Sequence, residues 1–334
     1  MNSTEGGKPF GQIAISKLRA YLPYVLSVGA LSIFVVYLWQ NVDRYQKLLN
    51  FSFDTLLSLV GLAFVFALVN GSINYFFYRA LDVFLTFNES IGLAAVNTLA
   101  NQLPFAGGLV AKGIYLKQRH QLAYTHFLSA TMALYVCFVA VNGAVALMIL
   151  GYWALGSGVR VPLALILGFS GMMASVASLW FPMDVLFLPG KIGKRLMKLA
   201  EGWRVLSENV YLVGVMTGFQ ILMTLVFAAR LWIAFHALSQ DVTYAQCLLF
   251  SSATVLTRLV NIAPGGLGVR EGIVAGVASL LGFEAGVSAV AVGLDRLVAT
   301  SVVIVLGAIY TYILSKKVTD AEPADAMSLG EWRL

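Results

Sequence analysis

Charge is scarce in this sequence: of 334 residues only 11% are Asp, Glu, Lys or Arg. The three histidines, His120, His126 and His236, share no metal-ligand spacing with a cysteine or a carboxylate cluster, so no metal site is expected. Two cysteines, Cys137 and Cys247, lie inside apolar runs and give no disulfide framework. No GxxxxGK[ST] loop is present, so the chain carries no ATPase of its own. No nucleophile stands beside a base, which leaves no catalytic residue to name. No cofactor is implied. A long polar segment is also missing, and the net charge of +6 is spread over short loops, so no basic domain exists to hold nucleic acid.

What remains is hydrocarbon. Hydrophobic residues make up 59% of the chain, against roughly 45–50% in ordinary soluble domains, and the mean hydropathy is +0.83. A spanning helix needs about 20 apolar residues at about 1.5 Å rise each. Runs at 22–39, 55–78, 123–151, 161–181, 209–237 and 285–314 qualify. The first is too long for a cleaved leader and reads as a retained span. The fold class expected is therefore an all-α polytopic membrane protein with about six full transmembrane helices. It reads as one integral domain over 1–334, with halves at about 20–151 and 161–315 and a polar tail over 316–334.

Two further apolar stretches, 84–116 and 242–283, are interrupted at Pro104 and Pro264. Each fits either a pair of spans or a re-entrant hairpin. The piece after the first break, 107–116, has about ten residues, roughly 15 Å of helix. It carries Lys112, so it is too short to cross alone. A re-entrant hairpin is expected there, and by analogy at the second break. The two breaks repeat one order: Asn101, Pro104, Gly107, Gly108, Lys112, and then Asn261, Pro264, Gly265, Gly266, Arg270. Their prolines, at 104 and 264, are 160 positions apart, and internal duplication is the natural reading.

With a cytoplasmic N-terminus, the basic residues collect on one side, including Arg79, Lys117, Arg119, Lys316, Lys317 and the cluster from Lys191 to Arg204. Only Arg44, Lys47 and Arg160 fall on the other, as the positive-inside rule requires. Both termini are then cytoplasmic and the membrane is the plasma (cytoplasmic) membrane. The two hairpins open from opposite faces, an inverted-topology repeat of the kind transporters use to place a midplane site. Within 190–206, Ile192, Leu196, Leu199, Trp203 and Leu206 recur near a helical period, giving an interfacial helix that anionic headgroups attract.

Charges at bilayer depth are expensive and mark function. Pro104 and Pro264 are expected to open helices whose free N–H groups and positive dipole ends face inward. Arg270 adds a full charge, with Lys112 its counterpart, and phosphate is the ligand such a pair suits. Neighbours on a helix do not face one another, so the ions pair between segments. Glu271 is expected to meet Arg296 or Arg258, and Asp295 whichever arginine remains, leaving Arg270 for ligand. Gly268, Gly272 and Gly276 form a smooth stripe, expected to pack against a neighbouring helix.

The run Pro264-Gly265-Gly266-Leu267-Gly268-Val269-Arg270-Glu271, followed by Gly282 and Arg296, resembles the C-terminal signature of the flippase-like family, the transmembrane domain of lysylphosphatidylglycerol synthases. Residues 101–108 resemble that family's N-terminal counterpart, although Phe105, Ala106 and Leu109 stand where the family usually has an Arg and a Glu. The resemblance implies movement between leaflets of an aminoacylated phospholipid or a polyprenyl-phosphate sugar, without the soluble aminoacyl-transfer domain. A membrane lipid with a phosphate headgroup is the expected partner. A second copy of the chain or a lipid-synthesising enzyme are further candidate partners. Two alternatives stay open: a membrane-embedded headgroup-modifying enzyme using Glu271 or Asp295 as base, and a small-anion transporter.

Overall fold

The computed structural model describes residues 52–102, 107–157, 161–175, 177, 208–258 and 268–319. The run at 22–39, the interfacial segment at 190–206 and the polar tail beyond 319 lie outside them. So do Pro104, Asn261, Pro264, Gly265, Gly266 and the Arg258 side chain.

The described residues are helical, with no strand among them. In chain order the helices are α1 (Phe53–Arg79), α2 (Phe87–Ala100), α3 (Gly107–His120), α4 (Tyr124–Tyr152), α5 (Leu163–Ala174), α6 (Val210–Ala237), α7 (Tyr244–Thr254), α8 (Val269–Leu280) and α9 (Ala285–Thr319). A π turn, Trp153–Ser157, extends α4, and a 3₁₀ turn, Val255–Arg258, extends α7.

Among the described residues, four helices are long and apolar enough to cross a membrane: Phe53–Arg79, Tyr124–Gly156, Val210–Ala237 and Ala285–Lys317. They expose large apolar side chains such as Leu57, Met148, Leu225 and Ile304, which in water would be costly and in lipid are not. Of the other two expected spans, 22–39 is outside the described residues, and 161–181 is described in part, with a helix over Leu163–Ala174.

Side-chain caps fix where the helices start. Ser52 accepts from the Thr55 N–H, and Asn209 from the Leu212 N–H. Thr86 with Glu89, and Thr243 with Gln246, form full capping boxes at the starts of α2 and α7. The turns before those boxes also match. Asp82 and Ser239 adopt left-handed backbone, with φ of 57° and 56°. The Val83 N–H bonds back to the Tyr78 carbonyl as the Gln240 N–H does to Phe235. Residues 82 and 239, 83 and 240, 86 and 243, and 89 and 246 are each 157 positions apart. The combination of turn and capping box is built twice; the turn alone recurs at Gly282, where the Phe283 N–H bonds back to the Ala278 carbonyl.

Packing follows a paired scheme. The first helix after each such turn lies against the long helix before it, α2 on α1 and α7 on α6, and against a long helix of the other half, α2 on α9 and α7 on α4. Small residues bring the α2–α9 pair close: a methyl group at Gly92 would strike Tyr310, and one at Gly307 would strike Leu99. One apolar cluster centres on Phe77, Tyr78, Leu116, Phe127 and Leu134, and a second joins Phe227, Leu231, Phe235, Phe250, Val274 and Val292 across α6 to α9. Cys137 and Cys247 are buried and free.

Candidate functional site

Where the second break rejoins the helical fold, Gly268 takes φ 78°, a left-handed conformation that glycine adopts without strain, and α8 begins at Val269. Whether a helix opens at Pro264, as expected, lies outside the described residues. Glu271 folds back over that turn, and its Oε2 accepts the Gly268 N–H at 2.9 Å. Its other oxygen, Oε1, accepts from Arg296 Nη1 at 2.9 Å. Both oxygens of this buried carboxylate are therefore engaged.

Asp295 precedes Arg296 on α9 and points elsewhere, as successive helical residues must. It is fully buried. Arg270 Nη2 stands 3.3 Å from Asp295 Oδ2, and Arg230 Nη2 stands 2.7 Å from Oδ1. The Arg230 contact is an ion pair without hydrogen-bond alignment to Oδ1; the aligned bond from that nitrogen runs to the Asp295 carbonyl at 3.3 Å. Arg230 Nε, also buried, has no hydrogen-bond partner among the described residues. Aromatic faces hold the two cations in place. The Arg270 guanidinium carbon lies 4.0 Å from the Phe227 ring centroid, and that of Arg230 lies 5.6 Å from Phe66 and 5.7 Å from Phe227.

The expected pair between Glu271 and Arg296 is present. Asp295 differs from expectation in taking two arginines, one of them Arg230, which the sequence reading did not name. Arg230 sits in the last third of the largely apolar α6, and an isolated basic residue in such a span is the signal that would have found it. Arg270 is not left solely for ligand, since Asp295 claims one side of it.

These groups converge on a cavity of about 250 Å³ lined by Arg230, Arg270 and Arg296 together with Asn70, Thr98, Asn101, Gln102 and Thr257. Among the described residues, three guanidinium groups face two carboxylates across this cluster. A second cavity of about 180 Å³ shares Phe66, Thr257 and Arg270 with the first, and adds Gln220, Thr224, Ser251 and Thr254. Beside it, an apolar groove of about 300 Å³ runs along Met148, Tyr152, Ile221 and Leu248, meeting the second cavity at Thr224.

The first break contributes differently. Asn101 lines the cationic cavity, and its Oδ1 accepts the Gly108 N–H at 3.1 Å, so this side chain occupies a donor at the start of α3. Gly107 is the first residue of α3. Lys112 donates to Asn74 Oδ1 at 2.8 Å and lies 5.3 Å from the Tyr78 ring centroid, drawn toward α1 rather than facing Arg270 across the cavity. The glycine stripe of α8 is corrected as well. Methyl groups at Gly272 and Gly276 would meet nothing within 4 Å, so among the described residues no helix packs against them.

Glu89 was not singled out in the sequence. Besides its capping role it accepts a hydrogen bond from Tyr115 Oη, stands 3.1 Å from His120 Nε2 and lies 4.0 Å from Lys317 Nζ. The Thr86-x-x-Glu89 spacing was the legible sign of it. No group of three or more metal-ligating side chains occurs among the described residues.

A family model described as the lysylphosphatidylglycerol synthase TM region matches residues 22–307. The chain belongs to this family. The match takes in both breaks and every residue of the arginine cluster, and with the long apolar helices it makes the chain a membrane-embedded member of a family related to lipid handling. Comparisons with curated proteins and with solved structures gave no match.

Proposed function

We propose that this protein moves an anionic, phosphate-bearing lipid between leaflets, holding the phosphate at Arg230, Arg270 and Arg296 while the tails remain in hydrocarbon. The excess, among the described residues, of one guanidinium over the two carboxylates carries the assignment. Away from bulk water such an excess calls for an anion, and arginine forks suit phosphate oxygens. The unpartnered Arg230 Nε is a donor that a phosphate oxygen would satisfy. The apolar groove running to Thr224 offers a place for an acyl or prenyl chain beside the polar cavities, which a transporter of small soluble anions has no need of.

On this reading the duplicated turn and the exchanged packing of α2 and α7 belong to an inverted repeat whose hairpins enter from opposite faces. The chain is a single integral domain of the plasma membrane with both termini cytoplasmic. Without an ATPase motif, exchange runs downhill or draws on a gradient. An inside-negative potential favours outward movement of an anion by about 2.3 kcal/mol per charge per 100 mV.

The test is Arg270→Ala in vesicles reconstituted with the full chain. Exchange of a tail-labelled anionic lipid is expected to be lost while the unfolding midpoint stays close to that of the parent, because Arg230 still balances Asp295. Undiminished exchange removes the arginine cluster from the mechanism.

A further inference from the structure

The second cavity adds specificity to the cationic one. Along α7 and its 3₁₀ extension, Ser251, Thr254 and Thr257 recur every third residue. Residues three apart share a face in the α-helix that holds Ser251 and Thr254 and in the 3₁₀ turn that holds Thr257, so the three residues line one cavity wall as a ladder. Their hydroxyl protons are already committed. Ser251 Oγ donates to the Thr224 carbonyl at 3.0 Å, Thr254 Oγ1 to the Ser251 carbonyl at 2.7 Å, and Thr257 Oγ1 to the Thr254 carbonyl at 2.7 Å. A hydroxyl that has given its proton keeps oxygen lone pairs, so the ladder presents acceptors.

Serine and threonine often back-bond within apolar helices for no purpose but their own satisfaction. Here the chain supplies its own control. At the offset of 157 residues that relates the two capping boxes, α2 carries Ala94, Asn97 and Ala100, so the duplicated helix folds without a hydroxyl ladder. The ladder exists only beside Arg270, which with Thr257 forms the wall common to both cavities.

Acceptors next to a phosphate site call for a ligand that brings donors. An ammonium group is such a donor, but neither carboxylate is open to it: Glu271 is held by Arg296 and the Gly268 N–H, and Asp295 by Arg230 and Arg270. A ligand cation there would meet Arg270 on the shared wall, with Arg230 and Arg296 in the adjoining cavity. Uncharged hydroxyls meet no such repulsion.

Resting on the transport reading above, we infer that the protein selects a phosphodiester lipid whose headgroup is an uncharged polyol, a glycerol or a sugar, and discriminates against aminoacylated headgroups. Vesicles containing the full chain would receive, separately, tail-labelled phosphatidylglycerol, a prenyl-phosphate hexose lipid, phosphatidylmethanol and lysyl-phosphatidylglycerol, with leaflet exchange followed by dithionite quenching. At least one polyol lipid is expected to exchange roughly tenfold faster than phosphatidylmethanol, which has the phosphodiester charge but no hydroxyl, and the faster of the two names the source. Lysyl-phosphatidylglycerol is expected to be no faster than phosphatidylmethanol. The double variant Thr254→Val, Thr257→Val brings the polyol-to-methanol ratio to about one, whereas Thr257→Ser keeps it.

Equal rates for the polyol lipids and phosphatidylmethanol, a lysyl lipid moving fastest, or a folded double variant with the parent ratio would overturn the polyol site and leave phosphate transport standing. No exchange of any probe above protein-free vesicles would overturn the transport reading itself and the polyol site with it. Should the double variant not fold, the ratios in the parent protein decide alone.

Discussion

Arg230 on α6 and Asp295 on α9, 65 positions apart in the chain, meet at 2.7 Å with both side chains almost wholly buried. A lone carboxylate there would be costly, and so would a lone guanidinium; together with Arg270 they tie α6, α8 and α9 into one unit. Removing the shared partner is worse than removing either arginine, because it leaves two like charges close together.

Asp295→Asn is therefore expected to destabilise the protein by about 3–5 kcal/mol, the usual scale for stranding a buried charge. Adding Arg230→Met should recover much of that loss, since it deletes one of the two stranded cations. Thermal unfolding of detergent-solubilised protein measures both. If Asp295→Asn unfolds at the parent temperature, Asp295 is not the counter-ion described.

Glu271 serves two partners, the Gly268 N–H and Arg296. A glutamine can still accept from the amide but no longer neutralises the guanidinium. Glu271→Gln is thus expected to be milder than Glu271→Ala, and a double-mutant cycle of Glu271→Gln with Arg296→Gln to show a coupling of about 0.5–3 kcal/mol. Strict additivity would mean that the 2.9 Å contact contributes nothing.

The sequence disclosed more of this site than of its surroundings, for reasons visible in single residues. Arg270, Glu271, Asp295 and Arg296 stood out because ionised side chains are rare in apolar segments, and helix geometry, by excluding neighbours, left Glu271 to Arg296 or Arg258, of which the structure shows Arg296. Arg230 was legible as an isolated basic residue in an apolar span, but it lies outside both glycine-rich breaks on which the reading centred. The direction taken by Lys112 was not legible, because the choice between Arg270's cavity and Asn74 depends on how α3 leans on α1, a tertiary fact. The glycine spacing on α8 misled: periodicity marks a smooth face but cannot say whether anything covers it. The duplication was read from prolines 160 apart, yet the more regular repeat lies in the turns and capping boxes 157 apart, where polar residues that cap helices look like ordinary loop residues.

Two glycines should respond oppositely to alanine. A methyl group at Gly108 would press into the Asn97 carbonyl and the Asn101 side-chain oxygen, displacing the cap of α3, whereas one at Gly272 meets nothing within 4 Å. Gly108→Ala is expected to cost about 1–3 kcal/mol through forced rearrangement. Gly272→Ala should be neutral, or stabilise by up to about 1 kcal/mol through helix propensity. The two unfolding midpoints, compared with the parent's, decide; a stabilising Gly108→Ala would contradict the close approach of α3 to the end of α2.

Acid should expose the cluster at the first turn of α2, outside the four spanning helices. Burial alone would raise the pKa of Glu89, but hydrogen bonds from His120 and Tyr115, with the charges of His120 and Lys317, bring it down from 4.5 to about 2. The folded protein thus favours the carboxylate more than the unfolded chain does. Its stabilisation is complete above pH about 4.5 and is lost as pH falls toward about 2, where both forms become protonated. Glu89→Gln should remove that component, so its stability changes less across the same window even though it starts lower. Unfolding midpoints measured from pH 6 to 2 test this directly. Parallel profiles for parent and variant would mean that the contacts to His120, Tyr115 and Lys317 do not hold Glu89 ionised, and that the α2 cap stands without its charge.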